Sequence, residues 1–223
     1  MIYLTGDLHG DKKRFRARKL RKLKKGDTLI ICGDFGFIWD GSKRENRLLQ
    51  RIGRLRYHVL FVEGAHDNME LLEAYPVELW NGGRTHAISG NLRHLIRGER
   101  FTLEGVSILA MGGGLRPDDL QADDEQLRRA LPLQEDIVAI CSRMQEYDWQ
   151  ADLVISHQAP TNIDGCITQR ICDVSLLTTM LDLVQQKSKF RLWCFGCYHQ
   201  NKPVPPFYRA LYDEIYCAGG AEK

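Results

Sequence analysis

Five short apolar runs in this sequence are each followed within four residues by Asp, His or Cys, and this pattern restricts the fold most. Each run has four to six residues and is rich in Ile, Val, Leu or aromatic residues, which is typical of strands buried on both faces. Segments with helical periodicity separate the first three runs, which predicts parallel βαβ units. The runs are 2–5, 28–32, 57–62, 152–156 and 190–195.

Two helices are indicated by periodicity and capping residues. The segment 43–55 has Leu and Ile at a 3.6-residue period, which predicts an amphipathic helix. The segment 67–74 begins with Asp67 and Glu70, spaced as in a capping box. This box would place His66 just before the start of a helix.

The middle and the end of the chain differ from its beginning. Residues 84–111 contain strand patterns separated by glycines. Residues 118–150 are polar and helical, so we expect an excursion that packs over one edge and caps the site. A helix is predicted over 173–187, and a single domain over 1–223. The further strands predicted are 84–88, 92–96, 100–103, 106–111, 207–211 and 214–218, the last two as a pair.

Positive charge is concentrated in one segment. The net charge is only +2, but residues 1–100 contain 20 Lys and Arg against 12 Asp and Glu. Ten of the fourteen residues in 12–25 are Lys or Arg, with a sparse apolar face that predicts a helix over 11–24. Two interpretations stay open: a solvated surface helix, or a surface that binds phosphate-rich ligands such as nucleic acid.

Membrane and secreted classes are not expected. No apolar run reaches 18 residues, so no membrane-spanning helix is predicted. The first residues have no basic start followed by a long apolar stretch, so we expect a cytoplasmic protein. The seven cysteines form no repeated CxxC pattern, which favours free thiols over a disulfide framework.

Eight side chains that follow the apolar runs can bind metals or transfer protons. In open α/β sheets, ligands bind beyond the carboxyl ends of the strands, where these residues would meet. A single Asp there is usually a turn or cap residue, and a single His is usually a surface or core residue. Five separate segments that bring such residues to one edge instead indicate a divalent cation site. The eight are Asp7, His9, Asp34, His66, Asp67, His157, Cys197 and His199.

The order of these residues resembles the motif set of the calcineurin-like metallophosphoesterases. The motifs are Asp-x-His at Asp7, Gly-Asp at Asp34, Gly-x-His-Asp at His66, Ser-His at His157 and Gly-x-x-His at His199. The chain resembles a small bacterial or phage member of the family. It implies an α/β fold, a two-sheet β-sandwich flanked by helices. It also implies hydrolysis of phosphomono- or phosphodiester bonds through a dinuclear metal site and a metal-activated water.

The resemblance implies a role for each ligand. Asp7, His9 and His199 would hold the first metal ion, Asp34 would bridge the two ions, and His157 would hold the second. The cofactors implied are two divalent ions, with Mn²⁺ favoured and Fe, Zn or Ni as alternatives.

Five further side chains are predicted to act on the substrate or to orient one that does. The resemblance implies that His66 is the general acid or transition-state stabiliser and that Asp67 orients it. Arg97 could hold a phosphate oxygen, and Trp39 could line a substrate pocket and stack on a base together with Phe35. The substrate is a phosphate ester, and the basic segment favours nucleotides or nucleic acid over phosphoproteins.

Two positions depart from the family pattern at the second metal. Ala65 stands where the family has an Asn ligand, and Cys197 stands where it has a His ligand. A thiolate at Cys197 could still bind zinc or iron, or the residue could be a small buried hydrophobe. Three explanations stay open: a weak second site, loss of hydrolysis with the fold kept as a binding scaffold, or an engineered inactivating change at Ala65.

Overall fold

The apolar runs form the central strands of two mixed β-sheets with helices on their outer faces. The structure is a computed structural model, and it describes residues 1–114, 130–170 and 174–219. The predicted fold class, an α/β two-sheet sandwich flanked by helices, is confirmed.

The first sheet has seven strands in the described part of the chain, in the spatial order β13-β1-β2-β3-β6-β5-β4. The strands β1, β2, β3 and β6 run parallel, and the remaining strands are antiparallel to their neighbours. The bounds are β1 Ile2–Thr5, β2 Thr28–Cys32, β3 His58–Val62, β4 Val77–Trp80, β5 Gly83–Ser89, β6 Leu92–Leu95 and β13 Tyr216–Gly219.

The second sheet has six strands among the described residues, in the order β11-β12-β10-β9-β8-β7. Its central strands β8, β9, β10 and β12 are parallel, while β7 and β11 are antiparallel edge strands. The bounds are β7 Arg100–Leu103, β8 Val106–Met111, β9 Leu153–Ser156, β10 Leu192–Phe195, β11 Lys202–Val204 and β12 Tyr208–Ala210.

Five α-helices lie within the described residues and cover the outer faces of the sheets. The first sheet packs against α1, and the second packs against α3, α4 and α5. The bounds are α1 Lys43–Gly53, α2 Met69–Glu73, α3 Gln134–Glu146, α4 Thr161–Thr168 and α5 Leu176–Lys187.

The continuous apolar character of the central strands follows from burial on both faces. In β2, Leu29 and Ile31 pack on the helix side, whereas Ile30 and Cys32 face the second sheet. Successive side chains in a strand point to opposite faces, so a strand between two apolar layers needs apolar residues at every position.

The basic segment is not the α-helix predicted over 11–24. It forms two short 3₁₀ helices, Lys12–Arg16 and Leu20–Lys22, separated by Ala17 in an extended conformation. Ten like charges in fourteen residues repel one another along a helix. The chain instead turns twice, and in doing so it buries Leu20 in the core.

The strand pair predicted over 207–211 and 214–218 is wrong. β12 pairs with β10 in the second sheet, whereas β13 pairs with β1 in the first. The intervening residues cross between the sheets, because the Leu211 amide donates to the Phe195 carbonyl and the Tyr212 carbonyl accepts from Gly6. A short turn between two apolar runs has the same sequence pattern in a hairpin and in a crossover.

The excursion predicted over 118–150 is described only in part. Residues 115–129 lie outside the described residues, so the predicted cap stays a prediction. The described portion contains α3, in which Ile140 and Met144 pack into the core of the second sheet.

Candidate metal centre

The strand ends bring the predicted residues to one edge of the sandwich, with contributions from both sheets. Strands β1, β2 and β3 are neighbours in the first sheet, and β9 and β10 are neighbours in the second. They lead, in order, to Asp7 and His9, to Asp34, to His66 and Asp67, to His157, and to Cys197 and His199.

The backbone at this edge is in a conformation that non-glycine residues rarely adopt. The φ angles are 45° at His9, 42° at Asp34, 60° at Cys197 and 48° at His199. Left-handed conformations of this kind cost about 1–3 kcal/mol each and concentrate at functional sites. Four such residues at one edge indicate that the fold maintains a specific side-chain arrangement there.

Two glycines allow the carboxylates to pack against the main chain. A Cβ atom at Gly64 would lie 2.2 Å from Oδ1 of Asp34, and one at Gly196 would lie 2.1 Å from Oδ1 of Asp7. Any larger residue at either position would displace the carboxylate. The glycine in each predicted motif therefore has a steric role beside the ligand.

Two buried carboxylates and one buried imidazole form the centre of the site. Asp7, Asp34 and His157 are each at most 2% exposed. Nδ1 of His157 lies 3.4 Å from Oδ1 of Asp7, and its Nε2 lies 3.7 Å from Oδ2 of Asp34. Two carboxylates buried together are costly unless positive charge compensates them.

The protonation of this centre follows from its charges. Burial favours the neutral acid of Asp34, but His157 and the hydrogen bonds from His66 outweigh it and hold the pKa of Asp34 below its ordinary value. Burial also acts to lower the pKa of His157, but Asp34, Cys197 and Asp7 together raise that pKa well above its ordinary value. The electrostatics of the centre therefore favour positive charge beside the two carboxylates.

Two histidines complete the exposed side of the centre. Nε2 of His9 lies 2.9 Å from Nε2 of His199, and Nε2 of His199 lies 3.2 Å from Oδ2 of Asp7. Nδ1 of His9 lies 3.8 Å from Oδ2 of Asp34. Two imidazole nitrogens that face each other beside carboxylates can converge on one cation.

Three overlapping groups of side chains have the spacing of metal ligands. In each group, the potential ligand atoms all lie within 4.8 Å of one another, and Asp7, His9 and Asp34 each belong to two groups. The overlap is compatible with two adjacent ions that share a carboxylate. The groups are Asp7, His9 and His199; His9, Asp34 and His66; and Asp7, Asp34 and His157.

The donor set fits divalent cations. Nδ1 of His157 is buried 3.4 Å from Oδ1 of Asp7 and makes no well-formed hydrogen bond among the described residues. A metal ion is one way to satisfy a buried ring nitrogen that lacks a good hydrogen bond. Carboxylate oxygens and imidazole nitrogens are ligands for Mn²⁺, Fe²⁺, Zn²⁺ and Ni²⁺.

The predicted relation between Asp67 and His66 is not observed. Nδ1 of His66 donates to Oδ2 of Asp34 at 2.7 Å, so Asp34 orients this ring. Asp67 instead accepts three backbone hydrogen bonds, from Gly64, Phe35 and Gly36. Asp67 therefore fixes the two loops that carry Asp34 and His66. Burial and then the Asp34 charge raise the pKa of Asp67 to about 6, against those hydrogen bonds.

The predicted capping box at Asp67 is also wrong. The N-cap of α2 is Asn68, whose side chain accepts from the Leu71 amide. Three hydrogen bonds from backbone amides stabilise the buried Asp67 carboxylate more than a single hydrogen bond at a helix N-terminus would.

The two departures from the family pattern differ in their surroundings. The backbone amide of Cys197 donates to both carboxylate oxygens of Asp7, at 3.2 and 3.1 Å, and its thiol is outside the three ligand groups. Negative charge on the Cys197 thiol would act to raise the pKa of His157. Ala65 is buried, and a Cβ atom at Gly114 would lie 2.9 Å from its Cβ atom.

Of the three side chains predicted to contact the substrate, two lie in the interior and one is exposed. Arg97 donates to the buried Glu63 carboxylate at 2.8 Å and to the Ala130 carbonyl, so its guanidinium is engaged in the interior. Phe35 is fully buried against Phe61 and cannot stack on a base. Trp39 is 62% exposed in the loop that follows Asp34.

Sequence reasoning missed Arg14 as a support of the site. Its guanidinium donates to the Asp7 carbonyl at 3.0 Å, to the Thr5 hydroxyl and to the Tyr212 carbonyl. The ring of Tyr212 packs 4.8 Å from that of His199. Arg14 lies within a run of charged residues, so nothing in the sequence separates it from its solvated neighbours.

A buried network behind the centre was also missed. Glu63 accepts from Nε2 of His94 and from Arg97, both at 2.8 Å, and Nδ1 of His94 lies 2.9 Å from Nδ1 of His86. Glu63 directly precedes the loop that carries His66. The network therefore anchors one side of the candidate site.

The fold and the ligand cluster together define an α/β sandwich protein with a candidate metal centre. The family model for calcineurin-like phosphoesterases matches residues 1–201, so the chain belongs to this family. The crystal structure of a protein of unknown function from Aquifex aeolicus is similar at 17% sequence identity, with a TM-score of 0.35. That similarity covers 79% of this chain and 89% of the other. No curated protein matches the chain.

The membrane expectation concerns helices only. Among the described residues, no helix combines the length and the apolar character needed to cross a bilayer.

Proposed function

We propose that this chain is a metal-dependent phosphoesterase that uses two adjacent divalent ions. The observation that supports this proposal is the overlap of three ligand groups around two buried carboxylates, Asp7 and Asp34. When bound, two such ions would orient a phosphate ester, offset the charge of its oxygens and acidify a water molecule. Phosphoester hydrolysis is the chemistry of the family to which the chain belongs.

The side chains of the site have separate tasks in this proposal. Asp7, His9 and His199 would hold one ion, His157 the other, and Asp34 both. His66 is 42% exposed and its Nδ1 is held by Asp34 at 2.7 Å, so it can meet a substrate while its ring stays oriented.

The proposed task of His66 is proton donation to the departing oxygen. An imidazole at the exposed rim of the site can reach the departing oxygen and act as its general acid. Trp39, exposed in the loop after Asp34, is proposed to contact the part of the substrate beyond the phosphate.

Hydrolysis of p-nitrophenyl phosphate and bis-p-nitrophenyl phosphate tests the proposal. The expected result is turnover that depends on an added divalent ion, with Mn²⁺, Zn²⁺, Ni²⁺ and Fe²⁺ assayed in turn. The preferred ester would separate a monoesterase from a diesterase. Absence of turnover with every ion would contradict the proposal.

A binding scaffold with an eroded second site is the second candidate function, and Ala65 is the observation that favours it, because its methyl group cannot coordinate a cation. Metal content at purification discriminates between the two functions. About two ions per chain are expected for the enzyme. A chain without metal after purification and after reconstitution would favour the scaffold.

Restoring the family ligand should strengthen a weak second site. For Ala65→Asn we expect metal affinity and turnover to rise by about tenfold or more, because an amide oxygen joins the ligand set. Isothermal titration with Mn²⁺ and the p-nitrophenyl assays would measure both. The matched control is Ala65→Leu, which adds similar volume and no ligand atom. Equal effects of Asn and Leu would show that residue 65 does not reach an ion.

A further inference from the structure

A strongly basic groove of about 430 Å³ lies beside the candidate metal centre. Two of its cationic side chains, Lys12 and Lys13, come from the 3₁₀ helix that follows the first metal motif. Three more, Arg44, Arg47 and Arg51, come from α1. All five side chains are exposed. Two elements that are separate in the sequence thus direct their charges into one groove.

The groove and the candidate site share a loop. Gly10, which lines it, directly follows the candidate ligand His9. The Gly10 amide donates to the Phe35 carbonyl at 3.1 Å, and the His9 amide donates to the Asp34 carbonyl at 2.9 Å. The loop that carries one candidate ligand therefore also lines the groove, which brings a ligand bound there close to the candidate metal centre.

The positive charge of the groove is uncompensated. None of its five cations has an ion pair or hydrogen bond from its side chain within the described ranges. The one acidic residue that lines the groove, Asp11, accepts from the Lys13 amide. Glu45 of α1 accepts from the amides of Trp39, Asp40 and Gly41, so its carboxylate is committed to another loop. Five cations and one carboxylate leave a strong attraction for anions.

The spacing of the arginines indicates a ligand with several phosphates. Residues three and four apart lie on one helix face, so Arg44, Arg47 and Arg51 form a row. At a rise of 1.5 Å per residue, this row is about 10 Å long. A single phosphate cannot contact the whole row and the two lysines. Consecutive phosphates of one strand can.

We propose that this groove binds the backbone of a nucleic-acid strand and directs one of its phosphodiesters to the metal centre. This inference rests on the proposed function, because it names the substrate class of that site. Within the described residues, the groove has no exposed large apolar side chain, since its only apolar lining residue, Leu48, is half-buried. A surface that inserts into a membrane would need such side chains.

Fluorescence anisotropy with labelled single-stranded oligonucleotides tests the proposal. The full chain would be titrated into phosphorothioate-linked DNA and RNA strands, which resist cleavage, at several salt concentrations. Five phosphate contacts predict that log K falls with log salt with a slope of about −3.5. The triple variant Arg44→Gln, Arg47→Gln and Arg51→Gln should bind at least about tenfold more weakly, with a slope of about −1.4.

The matched control removes the same charge elsewhere in the basic segment. Lys22, Lys24 and Lys25 are exposed and lie outside the groove. Their simultaneous change to Gln should alter affinity by less than about threefold. An equal loss of affinity in the two triple variants would show that only net charge matters, and this would contradict binding in the groove. Salt-independent binding, or preference for phosphatidylglycerol vesicles over oligonucleotides, would overturn it as well.

The wild-type chain separates this inference from the proposed function. Hydrolysis of p-nitrophenyl esters without oligonucleotide binding would support the phosphoesterase and contradict nucleic-acid binding in the groove. Salt-dependent binding that requires the three arginines, without hydrolysis of any ester, would support binding in the groove and contradict the phosphoesterase.

Discussion

Asp34→Asn should reduce metal-dependent ester hydrolysis at least about a thousandfold, which corresponds to about 4 kcal/mol of transition-state stabilisation. Asp34 is common to two of the three ligand groups and also orients His66. An amide keeps the shape of the side chain but loses its charge, so both proposed ions and the proposed acid are affected together. The p-nitrophenyl assays give the rate, and circular dichroism confirms that the fold is kept.

The matched control for this change is Asp148→Asn. Asp148 is exposed after α3, and its φ of 51° is one that Asn also tolerates. This control should retain wild-type turnover. Unchanged turnover in Asp34→Asn would show that the cluster is not the catalytic centre.

Glu63→Gln should lower the free energy of unfolding by about 3 kcal/mol. Glu63 is fully buried and pairs with His94 and Arg97. Removal of its charge leaves the Arg97 guanidinium, which is only 10% exposed, without compensation. Loss of one partner of a buried ion pair typically costs about 3–5 kcal/mol, and the amide oxygen recovers part of this. Urea denaturation at pH 7 measures the difference.

The same residue predicts a difference in acid stability. Although burial acts to raise the pKa of Glu63, Arg97 and His94 lower it from its ordinary value of 4.5 to about 2. The unfolded chain therefore binds the proton at higher pH than the folded chain does. The stabilisation is complete above pH 4.5 and is lost as the pH falls toward 2. The difference in free energy of unfolding between the wild type and Glu63→Gln should therefore decrease as the pH falls from 4.5 toward 2.

Glu70→Gln is the control for both measurements. Glu70 is exposed on α2, close in sequence to Glu63. Its change should shift the free energy of unfolding by less than about 0.5 kcal/mol at any pH. If Glu63→Gln changed the free energy of unfolding as little as Glu70→Gln, the buried network would not stabilise the loop before His66.

The positions of the ligands could be predicted because they follow directly from strand ends. Runs of apolar residues marked β1, β2, β3, β9 and β10, and parallel strands place their carboxyl ends at one edge. Asp7, Asp34 and His157 therefore meet as expected, although Asp34 and His157 are 123 positions apart in the sequence. The motif spacing contains this information without any knowledge of the packing.

The supporting contacts could not be predicted because they depend on which strands are neighbours. Glu63 contacts His94, and His94 contacts His86, because β6 lies between β3 and β5. Local patterns do not specify that order. Likewise, Arg14 is one cation among ten in its segment, and only the turns of the two 3₁₀ helices bring it to the Asp7 carbonyl.

The crossover between β12 and β13 means that the end of the chain connects the two sheets of the sandwich. One carbonyl, that of Tyr212, accepts from Gly6, Thr5 and Arg14, all of which surround the strand end at Asp7. The same residue packs against His199. An insertion in this crossing segment is therefore expected to disturb the candidate ligands at Asp7 and His199, although the segment itself supplies none of them.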